Sequence, residues 1–189
     1  MKSGKNNQIR IGAGQWRSRV IRFPTVTGLR PTSDRVREII FNWLGQSLHG
    51  RICLDAFAGS GALGFEAASR GAELVVMCES NPLAVTSLYA NAQRLNATQC
   101  NIIAQDVLVW INKNTIAFDV VFCDPPFNAG LHTPFLESIT THLSPGALIY
   151  VEMGEPLDLV PMIAIRYDVV KSSRAGAVYF GLLRHKTTG

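Results

Sequence analysis

From residue 51 onward, short apolar runs alternate with longer amphipathic stretches. The runs 51–56, 74–79, 101–105, 118–123, 147–152, 165–170 and 177–183 read as strands. The stretches 61–70, 82–95, 107–113 and 131–143 carry apolar residues at helical spacing. Runs 51–56, 74–79 and 118–123 are almost continuously apolar, as strands covered on both faces should be. This alternation predicts an α/β fold: a mostly parallel seven-stranded sheet with helices on both faces. Asn81-Pro82 supplies an N-cap and a proline at the first helical position. No helical stretch separates the last two strands. A turn near Ala175-Gly176 would pair them as a hairpin and make one strand antiparallel.

The first 48 residues follow another pattern. Residues 1–8 are polar and expected to be a disordered tail. Residues 9–23 read as one or two short strands around Gly12-Ala13-Gly14. Thr32 or Ser33 can cap a helix running to about Leu44, with Val36, Ile39, Ile40, Trp43 and Leu44 on one face. The expected organisation is a tail (1–8), a basic extension of hairpin plus helix (9–48), and a main domain (49–185). Charge separates the segments further. Residues 1–37 hold nine of the 18 Lys and Arg but one of the 14 acids, a net +8. The remaining nine basic and 13 acidic residues give −4. A basic segment on a mildly acidic body suits a nucleic acid. A solvated basic tail would look similar in charge, but Trp16, Val20, Ile21, Phe23 and Leu29 are interleaved and imply folded structure.

Composition narrows the class. A chain of 189 residues with 47% hydrophobic positions is one ordinary domain. No apolar run is long enough to span a membrane, and no apolar segment follows the polar N-terminus as in a secretory signal. Cys53, Cys78, Cys100 and Cys123 form no C-x-x-C pair and mostly sit in strand-like runs, so buried thiols and a cytoplasmic location are expected. The four histidines show no metal-ligand spacing, and no metal site is expected.

Chemistry concentrates at the ends of the predicted parallel strands. Leu54 to Gly64 closes the first of them and opens a helix, with Gly59, Gly61 and Gly64 in G-x-G-x-x-G spacing. Such a loop lets backbone N–H groups approach an anion, here a pyrophosphate or a carboxylate. Glu79 closes the next strand, where an acid can accept ribose hydroxyls, and Asp106 the third, where it can accept from an adenine amino group. A dinucleotide would explain the glycines and Glu79 but not Asp55, Asp106 or the turn Asp124-Pro125-Pro126-Phe127. S-adenosylmethionine accounts for all of them, with Asp55 near its ammonium and the loop at Phe57, Gly59 and Gly61 around its amino-acid end. The prolines stiffen the turn and withhold no carbonyl, so the Asp124 side chain and the Pro125 carbonyl form an acceptor pair beside an aromatic ring. That arrangement fits an exocyclic amine on a stacked base.

The stretches Leu54–Gly64, Glu79, Asp106 and Asp124–Phe127 resemble the Rossmann-like class I S-adenosylmethionine-dependent methyltransferases that act on exocyclic amines. The segments Gly14–Arg19, Gly28–Glu38 and Phe41–Leu44 resemble, more narrowly, the bacterial family that methylates N2 of guanine 966 in 16S ribosomal RNA. The likeness spans roughly residues 9–183. It implies that Asp124 and Pro125 orient the amine, that Phe127 stacks on the base, and that the target is flipped or already in a loop. Arg10, Arg17, Arg19, Arg30, Thr32, Arg35 and Arg37 are then candidates for RNA contact, mainly to phosphate. The substrate is expected to be 16S RNA or a small-subunit particle, and the enzyme a monomer. Rival readings are an N6-adenine methyltransferase, a nicotinamide oxidoreductase and a non-catalytic RNA-binding factor.

Overall fold

A computed structural model of the chain describes residues 7–26, 32–126 and 129–186. Two short strands, β1 (Asn7–Arg10) and β2 (Val20–Phe23), pair antiparallel, and α1 (Asp34–Trp43) follows. The main unit then runs β3 (Ile52–Asp55), α2 (Ala62–Ser69), β4 (Leu74–Cys78), α3 (Pro82–Leu95), β5 (Cys100–Ile103), α4 (Val107–Ile111), β6 (Phe118–Cys123), α5 (His132–Ile139), β7 (Leu143–Met153), α6 (Pro161–Arg166), β8 (Tyr167–Ala175) and β9 (Val178–His185). The seven strands are ordered β5-β4-β3-β6-β7-β9-β8. Strands β3 to β7 are parallel to one another, and β9 is antiparallel to both β7 and β8. Gly176, at φ 62°, turns the β8–β9 hairpin that the sequence implied.

The central strands are apolar on successive residues because the sheet is covered twice. Cys53, Val75, Met77, Val120, Phe122 and Tyr150 pack with α1, α2, α3 and the β1–β2 hairpin. Leu54, Val76, Cys78, Val121, Cys123, Ile149 and Val151 pack with α4, α5 and α6. Each core side chain of this size contributes about 1.5–3 kcal/mol on burial.

Several boundaries differ from the sequence reading. The strand β1 starts at Asn7, so the tail expected over 1–8 is too long. Asn7 and Gln8 pair with Phe23 and Arg22. The stretch 131–143 ends as an α-helix at Ile139 and tightens into a 3-10 turn, Thr140–His142. Strand β7 begins at Leu143, earlier than expected, because a register irregularity near Phe118–Val120 absorbs Pro145-Gly146. Helix α6 was not foreseen. It has six residues, too few to display a periodicity, and starts at Pro161.

The extension is riveted to the main unit. Ile9, Ile11, Trp16, Ile21 and Phe23 are buried in the same core as Phe65 and Leu88. Gly12 and Ala13 N–H donate to Glu66 Oε2 and Oε1 of α2 (2.7 and 3.0 Å). Trp16 N–H donates to Ser69 Oγ, and Asn91 of α3 both accepts from Arg22 N–H and donates to its carbonyl. Removing residues 1–37 would therefore strip a core face as well as a basic surface.

Candidate active site

The carboxyl ends of β3 to β7 open into one cavity of about 560 Å³. Its walls include Asp55, Phe57, Gly59, Glu79, Asp106, Asp124, Pro125 and Thr32. Open α/β sheets bind ligands at this position, where the order reverses between β3 and β6.

The glycine loop joins β3 to α2. Gly61, at φ 80°, caps α2 in the left-handed region, and a Cβ there would lie 2.6 Å from Phe65 and 2.7 Å from Leu88. Gly64 lets Asp55 approach the helix. Its N–H donates to Asp55 Oδ2 at 2.9 Å, and a Cβ would come within 2.7 Å of Met77. Asp55 is 2% exposed. Burial pushes its carboxyl up to about 7, with the Gly64 N–H opposing the shift and the Glu79 charge adding to it.

Glu79 Oε2 accepts from Gly59 N–H (2.8 Å) and Oε1 from Asn81 N–H (2.7 Å). It thus fixes the loop to the start of α3. Each oxygen keeps a lone pair for a further donor such as a ribose hydroxyl. Asp106 caps α4 through Oδ1, which accepts from Leu108 N–H at 2.8 Å, and it too lines the cavity. Phe57 is half-buried, edge-on to Phe135 at 5.4 Å.

Asp124 follows β6 directly. Its Oδ2 accepts a hydrogen bond from the Thr32 hydroxyl at 3.3 Å. Thr32 was expected to contact RNA. It is 8% exposed and reaches inward to the carboxylate, across 92 residues of sequence. Two acids flank Asp124. Burial holds it well above the ordinary carboxylate range, and the charges of Glu152 and then Asp55 push the same way, against the Thr32 hydrogen bond. Glu152, near the end of β7, is also raised by burial, while hydrogen bonds from Tyr150 and Thr32 oppose that shift. The Tyr150 hydroxyl donates to Glu152 Oε1 at 2.5 Å. Glu152 and Tyr150 were missed in the sequence. The available signal was an acid ending the apolar run 147–152, as Glu79 ends 74–79.

The other expected residues separate into classes. Pro125 lines the cavity. Phe127 and Arg30 lie outside the described residues. Arg10, Arg17, Arg19 and Arg35 are exposed, with Arg10 donating to the Ser18 carbonyl and Arg19 to the Arg94 carbonyl. Arg37 is not a surface phosphate ligand. It is 4% exposed, donates to Asp34 and to the Arg10 carbonyl, and its Nε and Nη1 have no hydrogen-bond partner among the described residues. Burial lowers its pKa. One turn of helix beyond Ser33 places it under the hairpin instead of in solvent. The four cysteines lie in strands β3, β4, β5 and β6 as free thiols.

A seven-stranded sheet in this order, with one antiparallel strand and a glycine loop after the first strand of its parallel series, defines a Rossmann-like class I methyltransferase. Comparison with known proteins narrows the class. Residues 9–183 match the sequence model of the family described as Conserved hypothetical protein 95, and the chain belongs to that family. It is 36% identical to the ribosomal RNA small subunit methyltransferase D of Escherichia coli (strain K12), over 97% of this chain and 93% of that one. It is 39% identical to the protein of the same name from Haemophilus influenzae, over 94% of each. The solved structure of yhhF from Escherichia coli superposes with a TM-score of 0.83 at 35% identity, covering 96% of this chain and 100% of that one.

The raised acids make stability depend on pH. Asp55 binds its proton more tightly in the folded chain, about 7, than in an unfolded one, about 3.8. Its contribution is therefore full below the lower value and is lost as pH rises through the higher one. Asp124 and Glu152 act in the same direction. Urea denaturation of the ligand-free chain should show lower stability at about pH 8 than at about pH 5. Asp55→Asn keeps an acceptor for Gly64 and should flatten that slope; an unchanged slope would remove Asp55 as its source.

Proposed function

We propose that this chain transfers the methyl group of S-adenosylmethionine to the exocyclic N2 amine of a guanine in 16S ribosomal RNA. The resemblance in its sequence points to guanine 966 during small-subunit maturation; the unpaired cysteines favour a cytoplasmic location, and the size of the domain a monomer. The observation that carries the reading is Asp124, an acceptor at the carboxyl end of β6, facing the same cavity as the glycine loop, Glu79 and Asp106. Membership in a family whose relatives are named as ribosomal RNA methyltransferases supports it.

The residues present suit the cofactor. Glu79 would take the ribose hydroxyls, Asp106 the adenine amino group, and the loop amides with Asp55 the amino-acid end. Asp55, Asp124 and Glu152 line the cavity with carboxyls whose pKa burial raises, and a bound cation would favour their ionised forms. S-adenosylmethionine supplies a methyl group already activated on a sulfonium. Asp124 then has to orient the amine, with Pro125 stiffening the turn. Orientation of this kind contributes as much as ~7–11 kcal/mol in favourable systems. Phe127, the ring in the same turn, would stack on the flipped base, which contributes about 1–3 kcal/mol. Arg10, Arg17, Arg19 and Arg35, with Arg30, form the RNA-facing set of the basic extension.

The test is transfer of labelled methyl from S-adenosylmethionine to small subunits lacking the modification, with naked 16S RNA in parallel, followed by nucleoside chromatography. Label in N2-methylguanosine is the expected result, and the better substrate identifies the particle recognised. Label in N6-methyladenosine would replace the proposed base, and no label on either RNA would overturn the reading. Substituting Arg17 and Arg35 together, in place of deleting the extension, should weaken RNA binding and reduce its salt slope by roughly 1–2. Unchanged RNA affinity would exclude this surface.

A further inference from the structure

The proposal that an amine is methylated here leaves a proton to be placed, and it is on that reading that the following rests. Three side chains, from two elements, converge behind Asp124. Glu152 of β7 lies beside it because Cys123 and Val151 are register partners on adjacent parallel strands. The Tyr150 hydroxyl is bound to Glu152 Oε1. Thr32, entering from the extension, donates to Asp124 Oδ2 at 3.3 Å and lines the same cavity wall as Glu152, whose pKa its hydroxyl holds down. All three border or back the cavity, and Glu152 and Thr32 are each 8% exposed.

A hydroxyl has one proton and two acceptor positions. Set between two carboxyls, Thr32 can donate to only one of them at a time, and it can accept from the other only if that one is protonated. Protonated Asp124 with ionised Glu152, and the reverse, are therefore two settings of one bridge, exchanged by shifting two protons along the same line. We propose that Glu152 is a positioning and proton-holding residue of the methyl-transfer site, joined to Asp124 through Thr32 Oγ1.

The charge balance closes. With the sulfonium in place, its positive charge favours both carboxyls ionised. The amine lone pair forms the N–CH3 bond as the C–S bond breaks, and that electron pair stays on sulfur, which becomes neutral. The positive charge is now on the methylated nitrogen, whose N–H proton passes to Asp124 and through the Thr32 hydroxyl to Glu152. One positive charge has left sulfur and one proton has joined the carboxyl pair, so the net charge of the site is unchanged. The other titratable groups around the pair are Cys123 from β6, Asp55 from β3 with Glu79 beyond it, Tyr150 from β7, and His132 from α5, whose Nε2 contacts the Glu152 carbonyl. No basic side chain borders the cavity among the described residues.

Two measurements test the proposal independently. Calorimetry of S-adenosylmethionine binding in buffers of different ionisation enthalpy, without RNA, should show proton release near neutral pH. Release should be smaller for the neutral product S-adenosylhomocysteine and reduced in Glu152→Gln. Equal release for both ligands, or no change in Glu152→Gln, would overturn the proposal whatever the RNA substrate is. Single-turnover methyl transfer then separates relay from packing. Glu152→Gln and Thr32→Val should slow transfer by about tenfold or more, below the full general-base range because the proton leaves after the methyl group arrives. Thr32→Ser should restore the wild-type rate and pH profile. Equal defects in Thr32→Val and Thr32→Ser, or a wild-type pH profile in Glu152→Gln, would exclude the relay. Absence of transfer in the wild type, with proton release intact, would instead count against the assigned substrate.

Discussion

Asp124→Ala is expected to lower methyl transfer by about 10³-fold or more, while S-adenosylmethionine binding stays within a few-fold of wild type. The asymmetry follows from position. Asp124 faces the cavity just after β6, whereas the groups suited to the cofactor stand elsewhere: Glu79 follows β4, Asp106 caps α4 and the glycine loop leads into α2. Truncation removes the acceptor for the amine and leaves Thr32 without its Asp124 partner. It also relieves a buried carboxyl from the repulsion of Glu152 and Asp55, so the fold should not be weakened in proportion. Comparing kcat with cofactor Kd checks both halves. Retention of more than about a tenth of the wild-type rate would mean that Asp124 does not orient the amine.

The second large effect lies away from the cavity. Glu66→Ala is expected to destabilise the chain by about 3–5 kcal/mol, the usual result of breaking a buried ion pair from one side. Glu66 is 2% exposed, pairs with Arg70 Nε at 2.8 Å, whose side chain is also largely covered, and accepts from Gly12 and Ala13 N–H. Its loss strands two backbone donors and leaves Arg70 and Arg37 close together without their shared counter-charge. Arg70 still stacks on Phe41, 4.6 Å from the ring centre, which holds it in place with its charge unpaired. Because the residue ties the hairpin to α2, RNA affinity should fall more than cofactor affinity. Urea unfolding gives the stability change directly. A loss under about 1 kcal/mol would show that the hairpin is held by its apolar contacts alone.

These two expected effects follow from the extension and Asp124 belonging to one unit. The sequence set a basic extension of hairpin plus helix apart from the main domain, because its charge contrasts with the rest of the chain. Charge contrast reports on a surface, however, and says nothing of what lies beneath it. Trp16, Ile21 and Phe23 are sunk into the core that α2 and α3 share, and Thr32 ends beside Asp124.

The local signals were sufficient for the strands and most of the helices, and for several of the residues that line the cavity. Period and length in the apolar runs located the strands, since a parallel strand covered twice must be apolar on both sides. The glycines and the acids Asp55, Glu79, Asp106 and Asp124 were readable because each stands at a fixed offset from a strand end, and the sheet then brings those ends together. What the chain order could not express is contact between side chains distant in sequence. Arginines at 35 and 37 look alike on paper, yet helix α1 turns one to solvent and the other under the hairpin. Glu152 reads as one acid ending one strand until β7 is laid beside β6 and Thr32 is brought across from the extension. Spacing along a strand or a helix is set by backbone geometry and is written in the sequence. The pairing of buried polar groups depends on which elements share a face, and the packing of the whole chain alone decides that.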